Sequence, residues 1–412
     1  MATATPSTGV AIIGAGLSGL TLALALHRKN IPCILYESRE ASLDIGGAIM
    51  LSPNALKILD ALGVYANIAP LGYHFEELFF HSDDDKPVDN FEFGSQAKHA
   101  YKALRIYRYE LINVLVSMVG DAGIPVQYNK KFSHVTSESS SSVTWAFADG
   151  SSATAKLLVG ADGIHSRVRK HLYPDLVPKF TNMIGVTAAV PRAQLQAGPD
   201  YPLPVTIMSP KHGAFVIAPQ RADGSEVLIG KQRRLQQEYD RAGWDELMNN
   251  KSWCVDFLRE GSADFPPVVA NAVTDIPLKG INLWPFYLVP KLDTWAQGRV
   301  VILGDAAHAI PPTAGQGVNQ AFEDVYTFAG VVARVQQQKQ SEDDPQDAVR
   351  IAKALKNWQL GRQARVDRVL DLNDKLNKRR LPDAVKAGDF EPFDLDWLYG
   401  VDFEQLIAEW AN

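Results

Sequence analysis

The stretch VAIIGAGLSGLTLALALHRKNIPCILYE, Val10–Glu37, decides the fold. It reads as strand, tight glycine turn, helix, and a second strand that ends in an acid. Val10–Ile13 is a short apolar run with β-branched residues, and Gly14, Gly16 and Gly19 follow in G-x-G-x-x-G spacing. Gly14 allows the tight turn, Gly16 lets a pyrophosphate approach the backbone, and Gly19 lets the helix pack close on the strand. The helix that opens there presents free N–H groups and the positive end of its dipole to a phosphate. Pro32–Tyr36 is the second strand, and Glu37 closes it about twenty residues beyond the glycines, where a ribose-binding acid belongs. Together these features predict dinucleotide binding.

The chain has 412 residues, 46% hydrophobic and 21% charged, the composition of a globular protein with ample core. Its net charge of −6 argues against nucleic acid as a partner. Two cysteines, Cys33 and Cys254, make neither a disulfide framework nor a four-cysteine zinc site, and Cys33 reads as a core thiol. The histidines lack metal-site spacing, so no metal is expected. Met1–Thr8 lacks the charged start and cleavage site of a signal peptide, and the apolar run Val10–Leu26 is explained by strand and helix. The expectation is a soluble, cytoplasmic protein without a membrane span.

Along the chain, Pro53–Leu62 has helical spacing, and the small-residue loop Gly46–Gly47–Ala48 before it leaves room for another group at the backbone. Phe75–Phe80 and Phe91–Phe93 flank an acidic turn and predict a hairpin. Arg105 and Arg108 introduce a helix over Tyr109–Val119. The strands VTIM, GAFVIAP and EVLIG between Val205 and Lys231 predict an antiparallel meander, material for a separate sheet domain. Trp244–Arg259 reads as one amphipathic helix, and Asn319–Gln337 and Ala348–Leu376 as long helices. The cluster Lys375, Lys378, Arg379 and Arg380 reads as a solvated helix terminus.

Two further segments share the strand–turn–helix form of the first. In LLVGADGIHSRVRK, Leu157–Lys170, a strand ends at Asp162–Gly163. In RVVILGDAAHAIPPTAGQGVNQAFED, Arg299–Asp324, a strand ends at Gly304–Asp305 and a glycine loop opens a helix. The loop Gly315–Gln316–Gly317–Val318–Asn319 would set backbone N–H groups and a helix N-terminus against a negatively charged group. His308, beside two alanines, reads as structural.

This trio resembles the class A flavin-dependent monooxygenases, the aromatic-hydroxylase group with the para-hydroxybenzoate hydroxylase fold, including fungal salicylate-hydroxylase-like and tetracycline-inactivating members. The resemblance implies an α/β fold: a G-x-G-x-x-G FAD-binding domain, an inserted antiparallel β-sheet substrate domain and C-terminal helices. The FAD domain would comprise residues 1–72, 97–172 and 281–340, the substrate domain 73–96 and 173–280, and the helical segment 341–412. It also implies non-covalent FAD, with Asp305 on its ribityl chain, Arg108 reaching it, and Asp162–Gly163 serving both FAD and the nicotinamide cofactor. Gly47 and Ala48 join this expected cofactor set. The closing Trp397–Leu398–Tyr399–Gly400 is similar to endings of fungal members.

The implied reaction is hydroxylation or epoxidation of an electron-rich aromatic or polycyclic molecule with O₂, the flavin being reduced by NADPH or NADH. A single dinucleotide unit fits a nicotinamide cofactor that visits and leaves. Met208, Phe215, Ile217 and Pro312 are candidates for the substrate pocket, and no catalytic acid or base is assigned. A reductase or halogenase of the same scaffold, or a non-catalytic flavin-binding regulator, are the alternatives. The halogenase stretch W-x-W-x-I-P is absent.

Overall fold

Val10–Ile13 lies at the heart of a six-stranded sheet, as its uninterrupted apolar run requires of a strand covered on both faces. The computed structural model describes residues 9–41, 47–338, 346–379 and 393–412. Met1–Thr8, Gly46 and Arg380 lie outside them. The strand order is Ala296–Gln297, Val300–Ile302, Leu157–Gly160, Val10–Ile13, Cys33–Tyr36, Val126–Gln127. Val10 stands opposite Cys33 on one side and Leu157 on the other, and Leu158 opposite Val300, all in parallel pairs. The three motif turns therefore leave the carboxyl ends of three adjacent strands and meet along one edge, where open α/β sheets bind ligands.

The helices Leu17–Arg28 and Gly317–Gln337 pack on each other beside this sheet. Gly19 is fixed by that packing, since a Cβ there would stand 1.9 Å from the Gly14 carbonyl oxygen. Gly14 has φ +104°, a conformation closed to side-chain-bearing residues, and its Cβ would meet Ala161 O at 2.6 Å. Among the described residues no helix is long and apolar enough to cross a membrane.

A seven-stranded sheet forms the second layer, in the order Asn282–Leu288, Lys179–Pro191, Glu226–Arg234, Gly213–Pro219, Val205–Ser209, Glu77–Ser82, Pro87–Glu92. The predicted meander and hairpin thus join into one sheet, through the parallel pairing of Val205 with Phe79. Asn282–Leu288, placed by sequence in the FAD domain from residue 281, pairs antiparallel with Lys179–Pro191 and completes the second sheet. As an edge strand it tolerates Pro285, whose missing N–H would break a central ladder.

The helix predicted over Trp244–Arg259 is two, Arg241–Asn249 and Lys251–Arg259. Asn250 interrupts them and its side chain accepts the Trp253 N–H at 3.1 Å, capping the second. These helices and Pro267–Ala272 cover the outer face of the second sheet.

At the other end, Asp347–Arg379 docks on Gly317–Gln337, and Phe403–Trp410 packs against both. The seam holds charge. Arg362, fully buried, donates to Asp324 Oδ1 at 2.7 Å and also to Glu323 Oε2. Arg365 donates to both oxygens of Glu323, at 2.6 and 2.9 Å.

Candidate active site

The motif edge opens into a cleft of about 610 Å³. Gly14, Gly16, Glu37, Arg108, Asp162, Gly163, Asp305, Pro312, Gly315, Gly317 and Val318 line it, together with Ile49 and Met50. Gly19, Gly47, Ala48, Gly304 and Asn319 are not among its lining residues.

Glu37 is buried, and its Oε2 accepts the Ala15 N–H at 2.9 Å, so the strand-end acid grips the glycine turn. Oε1 accepts the Arg39 N–H at 2.9 Å. Oε1 also accepts the Ser38 hydroxyl at 3.1 Å, so the lone-pair capacity left for a diol is on Oε2. Gly16 differs from its two neighbours, because a Cβ there would meet nothing within 4 Å. Protein packing does not demand glycine at Gly16, whereas a ligand lying on the turn does.

Asp162 turns inward. Its carboxylate accepts from Ser166 Oγ at 2.5 Å and from the N–H groups of Arg167 and Val168 at 2.7 and 3.2 Å. Burial pushes its pKa up against those hydrogen bonds. Its side chain builds the Gly163–Val168 turn, leaving Gly163 at the cleft. Arg169 ties this turn to the third motif by donating to Ala306 O at 2.9 Å.

Asp305 is exposed at the start of the short helix Asp305–His308 and its charge acts on Arg108 across the cleft. Burial lowers the Arg108 pKa, Asp305 raises it, and the Arg108 Nε is buried without a partner. His308 is structural, as expected: its Nε2 bonds Asp324 and its ring lies 4.9 Å from that of Trp295.

The loop after Ile310 is held from behind. The Asn319 side chain accepts the Ser52 N–H at 3.0 Å and donates to Gly315 O at 2.7 Å and Met50 O at 3.1 Å. That side chain is occupied in holding the loop, and the Asn319 backbone N–H lies in the first turn of Gly317–Gln337, where intrahelical acceptors are lacking. A Cβ on Gly315 would strike the Phe93 ring at 2.8 Å, so the close approach at Gly315 is to Phe93. Next to Gly317 the space is open, with Ile310 at 4.0 Å.

Two substrate candidates fall on the wrong face. Phe215 and Ile217 are fully buried in the core shared with the outer helices, and Phe215 packs on Phe265 at 6.0 Å. The register explains this: Ile207 stands opposite Phe215, and Met208 opposite Ala214. Met208 accordingly faces inward, packed beside Phe75, Phe80 and Phe93. Arg39, Lys130, Lys131 and Arg167 also rim the cleft. Their charge was visible in the sequence, but nothing local placed them beside Glu37.

The residues fit FAD: an open position at Gly16, an acid at the ribose end, an arginine Nε without a partner, and a helix N-terminus beyond. The chain belongs to the FAD binding domain family, whose profile matches residues 7–345, and it is an FAD-dependent monooxygenase. It is 29% identical over 405 residues to 3-amino-4-hydroxybenzoate 2-monooxygenase of Streptomyces cremeus, covering 95% of this chain and 94% of that one. With 6-methylsalicylate 1-monooxygenase of Aspergillus terreus it shares 26% over 426 residues, covering 98% and 91%. A solved salicylate hydroxylase substrate complex superposes with a TM-score of 0.78 at 22% identity, over 98% of both chains.

Proposed function

We propose that this monooxygenase hydroxylates an electron-rich aromatic small molecule held between the two sheets, drawing its electrons from NADPH or NADH. The observation that carries the reading is the meeting of three strand-end motifs on one cleft, with the inner face of the second sheet beside it. Bound there, FAD supplies the chemistry, taking two electrons from NAD(P)H and delivering one atom of O₂ to the substrate.

Each residue has a part in this proposal. Glu37 accepts from the ribose hydroxyls, and the Gly16 backbone with the Leu17–Arg28 N-terminus takes the pyrophosphate. Asp305 receives the ribityl hydroxyls. Arg108 and the N–H groups of Gly317, Val318 and Asn319 stabilise negative charge at the ring end. Met208 and its aromatic neighbours keep water from the reacting atoms. The supply of NAD(P)H favours a cytoplasmic location.

The test is spectroscopic and kinetic. Purified protein should be yellow, and an aromatic ligand should accelerate NADPH or NADH oxidation and emerge carrying one atom from labelled O₂. A protein that takes up no FAD overturns the cofactor assignment. A flavoprotein that neither nucleotide reduces moves the function to a non-catalytic flavin binder.

A further inference from the structure

Gln220 follows the strand Gly213–Pro219 of the second sheet and is 2% exposed. Its backbone N–H donates to Glu226 O at 2.9 Å, which fixes it at the head of that hairpin. Its side chain reaches out of the second sheet to a pair of strands beside the cleft. Oε1 accepts the Ala48 N–H at 3.3 Å, and Nε2 donates to Tyr107 Oη at 2.9 Å. Ala48 and Tyr107 stand directly opposite each other where Ala48–Leu51 pairs antiparallel with Ala103–Tyr107. One amide therefore spans the end rung of that ladder.

The direction of each bond is fixed. Tyr107 gives its hydroxyl proton to Glu226 Oε1, and burial, with Glu226 beside it, raises the Tyr107 pKa, so the proton stays. The Tyr107 oxygen is left to accept, and the Ala48 N–H can only donate. A side chain with one acceptor and one donor satisfies both. An alkyl chain in its place would leave both unpaired.

The rung lies one residue from the cleft on each strand. Ile49 follows Ala48 and Arg108 follows Tyr107, and both line the cleft. The Arg108 N–H donates to Gly47 O at 3.2 Å. The single peptide unit Gly47–Ala48 thus gives its N–H to the second sheet and its carbonyl to Arg108. Arg108 Nε has no partner, so the main chain at Tyr107–Arg108 sets where the guanidinium stands.

We propose that Gln220 is a positioning residue for the flavin. By clamping the Gly47–Ala48 peptide and Tyr107 to the second sheet, it holds Arg108 where its charge favours the reduced cofactor. This rests on the part given to Arg108 above. A cation held close to the ring end stabilises the more negative, reduced flavin and so raises its midpoint potential.

The experiment titrates the FAD-loaded enzyme with dithionite beside a reference dye, which reads the midpoint potential without NAD(P)H or any aromatic ligand. Gln220→Met keeps the length of the side chain and removes its polar atoms. It should move the two-electron equilibrium about tenfold toward oxidised flavin, about 30 mV more negative. Tyr107→Phe, which removes one of the two bonds, should shift it the same way by less. With Arg108→Met already in place, Gln220→Met should add nothing. A purely structural role for Gln220 would lower Tm and leave the potential unmoved.

A folded Gln220→Met flavoprotein with the wild-type potential overturns the proposal, as does a shift that persists in the Arg108→Met background. Should Gln220→Met fail to fold or to hold FAD, Tyr107→Phe decides, alone and with Arg108→Met. A shift in Arg108→Met without one in Gln220→Met overturns the clamp alone. A wild-type potential in Arg108→Met strikes the role of Arg108 in the function proposed above, and the clamp falls with it.

Discussion

One oxygen of Asp324 serves two masters: Oδ2 lies 2.5 Å from His308 Nε2 and 2.8 Å from the Gly304 amide nitrogen. The other oxygen accepts from Arg362 on the helix Asp347–Arg379. The turn that presents Asp305 is therefore braced, through Asp324, by a helix whose own residues lie outside the cleft lining.

Arg362→Met should cost about 3–5 kcal/mol, because it leaves Glu323 and Asp324 buried with part of their compensation gone. It should also weaken FAD binding, through the Gly304 turn. Chemical denaturation and FAD titration of the same preparation check both effects. A variant as stable as wild type would show that the seam is not held by this charge.

The acids of the seam set an acid limit. Burial pushes Glu323 up, but Arg365 and Arg362 pull it further down, to about 2. Asp324 is likewise lowered by His308 and Arg362 against its burial. Carboxylates lower in the folded chain confer stability that is complete above the unfolded value, roughly 4, and is lost as pH falls through the folded one. The near-ultraviolet dichroism of the buried Trp358 should hold down to pH of about 4 and fade toward about 2, with Glu323→Gln flattening the change.

Asp305 separates binding from folding. It is exposed, so Asp305→Asn should leave apoprotein stability within about 0.5 kcal/mol. The FAD dissociation constant should rise about tenfold or more, the loss of one charge-assisted hydrogen bond. Equal FAD affinity in the variant would remove Asp305 from the cofactor site.

The two glycines of the turn should fail differently. Gly16→Ala fits the apoprotein, since its Cβ meets nothing within 4 Å, and should yield folded protein with poor FAD retention. Gly19→Ala drives a methyl to 1.9 Å from the Gly14 carbonyl and should yield little folded protein. Soluble yield and flavin content, measured side by side, test the contrast.

Met208 and Phe215 make a similar pair across the second sheet. Phe215→Ala should cost about 3–5 kcal/mol in stability without favouring one ligand over another. Met208→Ala should change KM for the aromatic substrate far more than it changes Tm.

What the sequence revealed was local. Each strand–turn–helix motif carries its signal within about thirty residues, and adjacent parallel strands did the rest by bringing Gly14, Gly163 and Asp305 to one edge. Pairings across long separations stayed hidden. Asn282–Leu288 finds Lys179–Pro191 through tertiary packing, and its proline obscures the strand pattern. The alternation around Phe215 and Ile217 defines two faces, but the helices between Arg241 and Ala272 decide which one is covered. Arg105 is the extreme case. An arginine in a short strand reads as surface charge, and the second sheet hides it.

The strand Leu157–Gly160 is flanked on one side by Val10–Ile13 and on the other by Val300–Ile302. During synthesis its second side stays bare while five of the second sheet's strands, from Lys179 to Leu288, are being made, and the cleft lacks its floor until the loop before Gly317 has left the ribosome. Cofactor capture is therefore a late event in the life of the nascent chain. An exposed apolar strand edge in the meantime is the place where aggregation or a chaperone would compete.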